Sequence, residues 1–320
     1  MPSAFITGAT GQDGSYLVER LLEREWDVHA LVRKTSDPQE QAVPSHVELH
    51  VGDLLDPTGV AQLIDEVEPD AIFNLAGVTS VAESWEHPDL TARLTGLAVS
   101  TLLEGAWAVQ ERTSKPVRFF QASSSELFGN PAETPQNEQT PIRPVSPYGA
   151  AKAYAHHLVG VYRGRGLFAA SAILYNHESP RRPNSFVTRK ITSEVAKIAT
   201  GASTKLVLGN LDAERDWGWA PDYVDAILRI TLAEEADDFV IATGESHSVR
   251  QFVAAAFEAA GIEDWEHLIE VDERFNRPVD AGTMLGDCTK ARELLGWRPT
   301  LGLSEIVARM VEHDLRLLSA

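Results

Sequence analysis

Through the first half of the chain, short runs of consecutive apolar residues alternate with longer stretches in which apolar residues return every three or four positions. The first pattern suits strands buried on both faces and the second suits amphipathic helices, so their alternation predicts a parallel sheet with crossover helices. Strands are expected at 4–7, 27–32, 46–51, 71–75, 117–122 and 168–174, and helices at 15–25, 59–66, 90–111 and 148–162. Together they read as an α/β fold with a doubly wound parallel sheet. After Tyr175 a polar, proline-bounded stretch at 177–183 breaks the alternation, and a smaller C-terminal α/β domain is expected to begin. Segments 216–232 and 238–242 read as a helix and a strand that return to the main sheet. The first domain is therefore assigned to residues 1–175 with returning segments near 211–243, and the second to 176–210 and 244–320.

Composition narrows the function. The 320 residues can bury a full core without disulfides, and the single cysteine, Cys288, allows no internal one. With 28 basic against 47 acidic residues the formal charge is −19, so no bulk attraction to nucleic acid or anionic membrane is expected. Phosphate ligands would need local basic sites. No apolar run reaches the length of a membrane span, and no basic leader precedes the first strand. The chain reads as soluble and cytoplasmic.

Gly8, Gly11 and Gly14 punctuate TGATGQDG at the first strand-to-helix turn. Glycines there permit a sharp reversal and bring a pyrophosphate close to a helix N-terminus, whose free N–H groups favour anions. A plain tight turn uses the same residues. At the end of the second strand, where an acid would hold the ribose 2′-hydroxyl of NAD, stand Arg33, Lys34, Thr35 and Ser36. Cations and hydroxyls suit a 2′-phosphate, so NADP is favoured over NAD. Asp53 and Leu54 follow the third strand, placed either to bracket an adenine or to cap a helix. Tyr148 and Lys152 fall at i and i+4 on one helix face, where an ammonium favours a phenolate and can make tyrosine a base. They follow a strand that ends in Ser123-Ser124-Ser125-Glu126, at the sheet edge where ligands bind. His29, His87, His156 and His157 show no metal-ligand spacing with acids or Cys288, and no metal is expected.

With TGATGQDGSY at 7–16, QASSSELFG at 121–129, SPYGAAK at 146–152, NHESPRR at 176–182, FVTRKI at 186–191, LGNLDAERDWG at 208–218 and DFVIATGESHSVR at 238–250, the chain resembles the extended short-chain dehydrogenase/reductase family. Within it the chain is similar to the GDP-mannose 4,6-dehydratases over nearly its whole length; the NHESPRR and RDWG segments separate these from dTDP-glucose dehydratases and UDP-galactose epimerases. The resemblance implies a Rossmann domain carrying NADP, a smaller substrate domain, and a GDP-sugar, GDP-mannose, as substrate. It implies a redox-neutral dehydration in which Tyr148, Lys152, Ser124 and Glu126 are catalytic. Gly8, Thr10, Gly11, Gln12, Asp13, Gly14, Arg33, Asp53, Leu54, Leu75, Ala76, Tyr148, Lys152, His177 and Arg182 would hold NADP. Asn176, Val187, Lys190, Arg215, Arg277 and Asp280 would hold the GDP-sugar, with the two arginines on its pyrophosphate. Arg181 is expected only to pair with a nearby acid.

The chain also departs from that pattern. Ser124 stands for a threonine, Leu90 for a tyrosine and Asp280 for a glutamate, and Val78-Thr79-Ser80 replaces a Gln-Ser-His. These leave the reaction type in place and the exact hexose open; a reductase or epimerase of a related GDP-sugar is the alternative, and a non-catalytic NADP-binding protein a lesser one. The segments 33–46 and 261–271 are short for the family. A homodimer through 90–111 and 148–162 is expected, with a weaker or absent tetramer contact.

Overall fold

The computed structural model describes residues 1–33, 43–272, 274 and 283–319. Among them, seven parallel strands form the main sheet. Six are β1 (Ser3–Thr7), β2 (Asp27–Val32), β3 (Glu48–Val51), β4 (Ala71–Asn74), β5 (Arg118–Ser124) and β6 (Phe168–Leu174). Four short strands follow outside it: β7 (Asn176–Glu178), β8 (Leu206–Leu208), β9 (Glu214–Arg215) and β10 (Trp217–Trp219). β11 (Asp238–Ile241) then returns to pair in parallel with β6, giving the order β3-β2-β1-β4-β5-β6-β11. The order reverses between β1 and β4, which opens a crevice at their carboxyl ends.

Helices cover both faces, as strands buried on both sides require. α1 (Gln12–Leu22) lies on one face, and α2 (Pro57–Val67) lies on the other. The short α3 (Val81–Glu86) and α4 (Pro88–Thr91) lead into α5 (Ala98–Thr113), which with α6 (Pro147–Arg165) joins α2. Local signals set their ends: Asp56 caps α2 at Gly59 N, 3.1 Å, and Ser146 caps α6 at Gly149 N, 3.0 Å. Gly166, at φ +110°, terminates α6. Phe5, Phe73, Phe119 and Phe120 are fully buried between the layers, each side chain contributing roughly 1.5–3 kcal/mol of transfer energy.

The single helix expected at 90–111 is divided, because residues Ala92–Leu97 are wound as a π-helix between α4 and α5. That widened turn lets Gly96 approach α6, where a Cβ would come 3.4 Å from Ala151 O, and places Thr95 Oγ1 to accept Val78 N at 2.9 Å.

A second core gathers around α7 (Val187–Ala199), which follows β7, and two later helices. α8 (Ala220–Thr231) packs on α1 instead. β12 (His247–Ser248) pairs antiparallel with β9, and α9 (Val249–Ala259) begins on a capping box between Ser248 and Gln251. β13 (Ile269–Val271) pairs with β8; α10 (Thr289–Leu295) and α11 (Leu303–Ser319) complete the chain. Ile191, Val195, Phe252, Phe257, Ile306 and Met310 build this core, and a buried Arg189–Asp314 ion pair ties α7 to α11. Ala291 of α10 and Trp297 pack instead on the main-sheet core, and Leu211 and Trp217 on the second, so the two cores interleave along the chain.

The parallel register of β2 and β3 places His29 against Glu48 and His50, a neighbourhood that its sequence spacing does not show. Nineteen and twenty-one residues separate His29 from Glu48 and His50, so the spacing around His29 gave no hint of the cluster.

Candidate active site

The crevice at the carboxyl ends of β1, β4, β5 and β6 holds most of the residues expected there. Gly8 has φ +76°, and a Cβ on it would lie 2.8 Å from Ala76 N and 2.9 Å from the Leu75 carbonyl carbon. A Cβ on Gly14 would lie 2.1 Å from Gly8 O. The backbone therefore passes where side chains would otherwise sit, and α1 starts at Gly11 with no side-chain cap on its first N–H groups. This is a cradle suited to a pyrophosphate. Thr10 lies in the same turn. Leu54 is buried; Asp53 is exposed, its carboxylate accepting Leu55 N at 2.9 Å, so it serves the local turn. Arg33 is exposed at the end of β2, and Lys34, Thr35 and Ser36 lie outside the described residues.

Gln12 and Asp13 turn their side chains toward the segment after β6. Gln12 Nε2 donates to His177 O, 3.0 Å, and Ser179 Oγ donates to Gln12 Oε1, 2.8 Å. The Asp13 carboxylate lies 2.9 Å from His177 Nε2, while His177 Nδ1 meets Tyr175 O at 2.7 Å and the ring stacks on Tyr223 at 4.4 Å. Burial pushes the Asp13 carboxyl up, yet the His177 charge and hydrogen bond outweigh it and hold it below the usual range. Burial lowers His177 in turn, and Asp13 more than restores it, so the imidazole sits above its ordinary value. These residues form an ion pair that joins the glycine turn to NHESPRR.

Tyr148 and Lys152 lie at the start of α6, both buried. Tyr148 N donates to Ser84 Oγ at 3.2 Å, and its hydroxyl bonds Ser124. Lys152 Nζ donates to Ala122 O at 2.8 Å and stands 5.7 Å from the Tyr148 ring centre. Glu126 occupies the single 3₁₀ turn after β5, half-buried, and its charge bears on Tyr148. A Cβ on Gly149 would lie 2.6 Å from Glu126 O, so glycine there lets α6 close on this turn. The expected easy phenolate is not what this geometry gives. Burial, with Glu126 adding to it, pushes the phenol up to about 12, and burial lowers the Lys152 ammonium to about 8. Burial thus disfavours the charged form of each group, and both shifts oppose the phenolate–ammonium state.

Beyond β6, Asn176 lies in β7, Val187 is exposed at the first turn of α7, and Lys190 is half-buried one turn on, its pKa lowered by burial. Arg215 is buried, its NH1 donating to Glu214 O at 2.7 Å. Arg182 stacks on Phe186 at 3.8 Å, and its buried Nε lies 3.4 Å from Glu178 Oε2, an ion pair that does not reach hydrogen-bond geometry. Arg277 and Asp280 lie outside the described residues. Arg181 pairs with Glu19 at 2.7 Å, as expected.

Sequence reasoning passed over several supporting residues. Thr7 Oγ1 donates to Asn74 Oδ1, 2.6 Å, and Asn74 Nδ2 to Gln121 Oε1, 2.8 Å, a buried string across the ends of β1, β4 and β5. Polar residues closing otherwise apolar strands were the available signal. In RDWG, Asp216 accepts Thr243 N and Gly244 N, each at 2.9 Å, and Thr243 Oγ1 at 2.7 Å. Gly218 leaves room for Tyr223, whose ring a Cβ would approach to 2.3 Å.

The reversed strand order, the glycine cradle and the Tyr148–Lys152 pair on α6 define an enzyme of the extended short-chain dehydrogenase/reductase class. A solved UDP-glucose 4-epimerase of Thermus thermophilus, in complex with NAD, is 28% identical, with 98% of each chain covered and a TM-score of 0.84. The family model described as GDP-mannose 4,6 dehydratase matches residues 5–310. GDP-mannose 4,6 dehydratase 1 of Arabidopsis thaliana is 43% identical over 98% of this chain and 90% of its own length, and the human GDP-mannose 4,6 dehydratase is 43% identical over 98% and 92%. The chain belongs to the GDP-mannose 4,6-dehydratase family.

Proposed function

We infer that the protein converts GDP-D-mannose to GDP-4-keto-6-deoxy-D-mannose with NADP as its resident cofactor. The observation that carries the reading is the family match over 5–310 together with Ser124, Glu126, Tyr148 and Lys152 gathered at one end of β5 and α6. The cradle at Gly8, Gly11 and Gly14, with Lys152 and the Arg182 guanidinium, fits a dinucleotide. Arg33, exposed at the end of β2, supports NADP over NAD.

NADP held at the glycine cradle, Lys152 and Arg182 would supply the acceptor for hydride from C4 of the sugar and its donor to C6. Tyr148 takes the proton from the 4-hydroxyl, which Ser124 orients. The ketone acidifies the C5 proton; Glu126 removes it and passes it to the departing 6-hydroxyl, which leaves as water, and the proton held by Tyr148 goes to C5 as hydride reaches C6. A carboxylate suits both halves of that exchange because it accepts and then donates. Asn176, Val187, Lys190 and Arg215, with Arg277 and Asp280, are assigned to the GDP moiety, and residues 176–210 and 244–320 to the substrate domain.

A cytoplasmic homodimer completes the proposal. Leu97 beside α5, and Tyr154 and Val161 on α6, are exposed apolar groups on the helices expected at the interface, and the lone cysteine suits a reducing compartment.

The test is incubation with GDP-mannose and NADP⁺, following the 4-keto product and the reduced-cofactor absorbance together. Ketone should accumulate without net change in NADPH. Stoichiometric consumption of NADPH would mark a reductase instead, and bound NADP with no turnover of any GDP-hexose would mark a non-catalytic protein.

A further inference from the structure

On the opposite half of the sheet from Tyr148, β3 is, among the described residues, an edge strand paired only with β2. Their register sets Glu48 beside His29 and His50 beside Leu31, so Asp27, His29, Glu48 and His50 share one face. His29 Nδ1 lies 2.9 Å from His50 Nε2. The Glu48 carboxylate lies 3.7 Å from His29 Nδ1 and 3.8 Å from His50 Nε2. Both imidazoles are largely covered, and their rings stack at 5.2 Å.

We propose that His29, His50 and Glu48 form a zinc-class divalent metal site, with a fourth position open to water. A tetrahedral ion with bonds of about 2.0–2.1 Å holds its donors about 3.3–3.4 Å apart. The two nitrogens stand closer than that, while the nearest carboxylate contacts, one from each Glu48 oxygen, stand farther; one donor from each residue lies within 4.8 Å of the others, so side-chain rotation has to bring a single oxygen in. The set of two imidazoles and a carboxylate is one that such ions take. An outer group is in place as well: Asp27 Oδ2 lies 3.5 Å from His29 Nε2, where it can accept the N–H that remains when Nδ1 binds metal. Glu66 also bears on His50, so three carboxylates surround two imidazoles and a dication meets net negative charge. Filling the site would staple the edge strand to β2 by side chains as well as by its ladder.

The test uses the full chain, stripped with a chelator and dialysed against zinc chloride, with bound metal counted and melting temperature followed. Wild type should retain one zinc more per chain than His50→Gln and melt higher with zinc than without. Glu48→Gln, at an exposed position, keeps the fold if His50→Gln does not, and should weaken binding at least about tenfold. Asp27→Asn should cost about ten- to a hundredfold, as outer-shell partners do. Equal zinc content in wild type and Glu48→Gln, or no zinc-dependent rise in melting temperature, overturns the proposal.

Discussion

The ionisation of Tyr148 gives the sharpest prediction. A phenol held at about 12 is four units above pH 8, so making the phenolate there costs roughly 5–6 kcal/mol at about 1.4 kcal/mol per unit. Lys152, with its own value at about 8, is only half charged there. A positive charge that persists would supply about half of that cost. Held as near the ring as Lys152 Nζ, 5.7 Å, it contributes about 3 kcal/mol at an effective dielectric of about 20, or about two units. The oxidised cofactor brings such a charge and the reduced one does not. The assay is an ultraviolet difference titration of wild type minus Tyr148→Phe, which isolates one phenol of six. Up to about pH 10.5 no tyrosinate from this residue should appear in the free protein or with NADPH, whereas with NADP⁺ it should appear near pH 10. Turnover of Tyr148→Phe should fall about 10²- to 10⁴-fold. Ionisation below pH 10 in the free protein, or equal titrations with the two cofactor forms, would refute the argument.

Three further outcomes are expected. Glu126→Gln should lower dehydration about 10²- to 10⁴-fold while GDP-mannose still reduces bound NADP⁺ in a single turnover, and deuterium from solvent should no longer enter at C5; unchanged turnover removes the residue from the mechanism. Gly14→Ala should cost about 3 kcal/mol or more in urea denaturation, because its Cβ would meet the fixed Gly8–Ala9 backbone, Gly8 O at 2.1 Å and Ala9 Cα at 2.7 Å; a wild-type midpoint would sink this. The Asp13–His177 pair should make stability pH-dependent in two directions. The depressed Asp13 contributes above about pH 4 and is lost as pH falls through its folded value; the raised His177 contributes below about pH 6.5 and is lost as pH rises through its own. His177→Asn should flatten the curve on the alkaline side, and a parallel curve would show that the pair does not form.

Much of the site was legible because its signals are local. A glycine turn between strand and helix, or a tyrosine and lysine one helical turn apart, is written in adjacent residues and needs only backbone geometry to be read. The strands at 27–32 and 168–174 fall where apolar runs placed them, for the same reason. Long-range partners were not legible. The hold of Gln12 and Asp13 on 177–179 spans more than 160 residues, and the Thr7-Asn74-Gln121 string crosses three strands. Helix 90–111 was read as continuous because periodicity cannot show that Gly96 must sit against Ala151.

What the sequence alone determined is the doubly wound sheet, the cofactor turn and the candidates for the reacting groups, all consequences of short-range spacing. The tertiary structure decided how those groups are shifted, because burial, invisible in a motif, sends Tyr148 up and Lys152 down. It also decided which distant residues became neighbours: strand register, a property of the folded sheet, set His29 against His50 and Glu48.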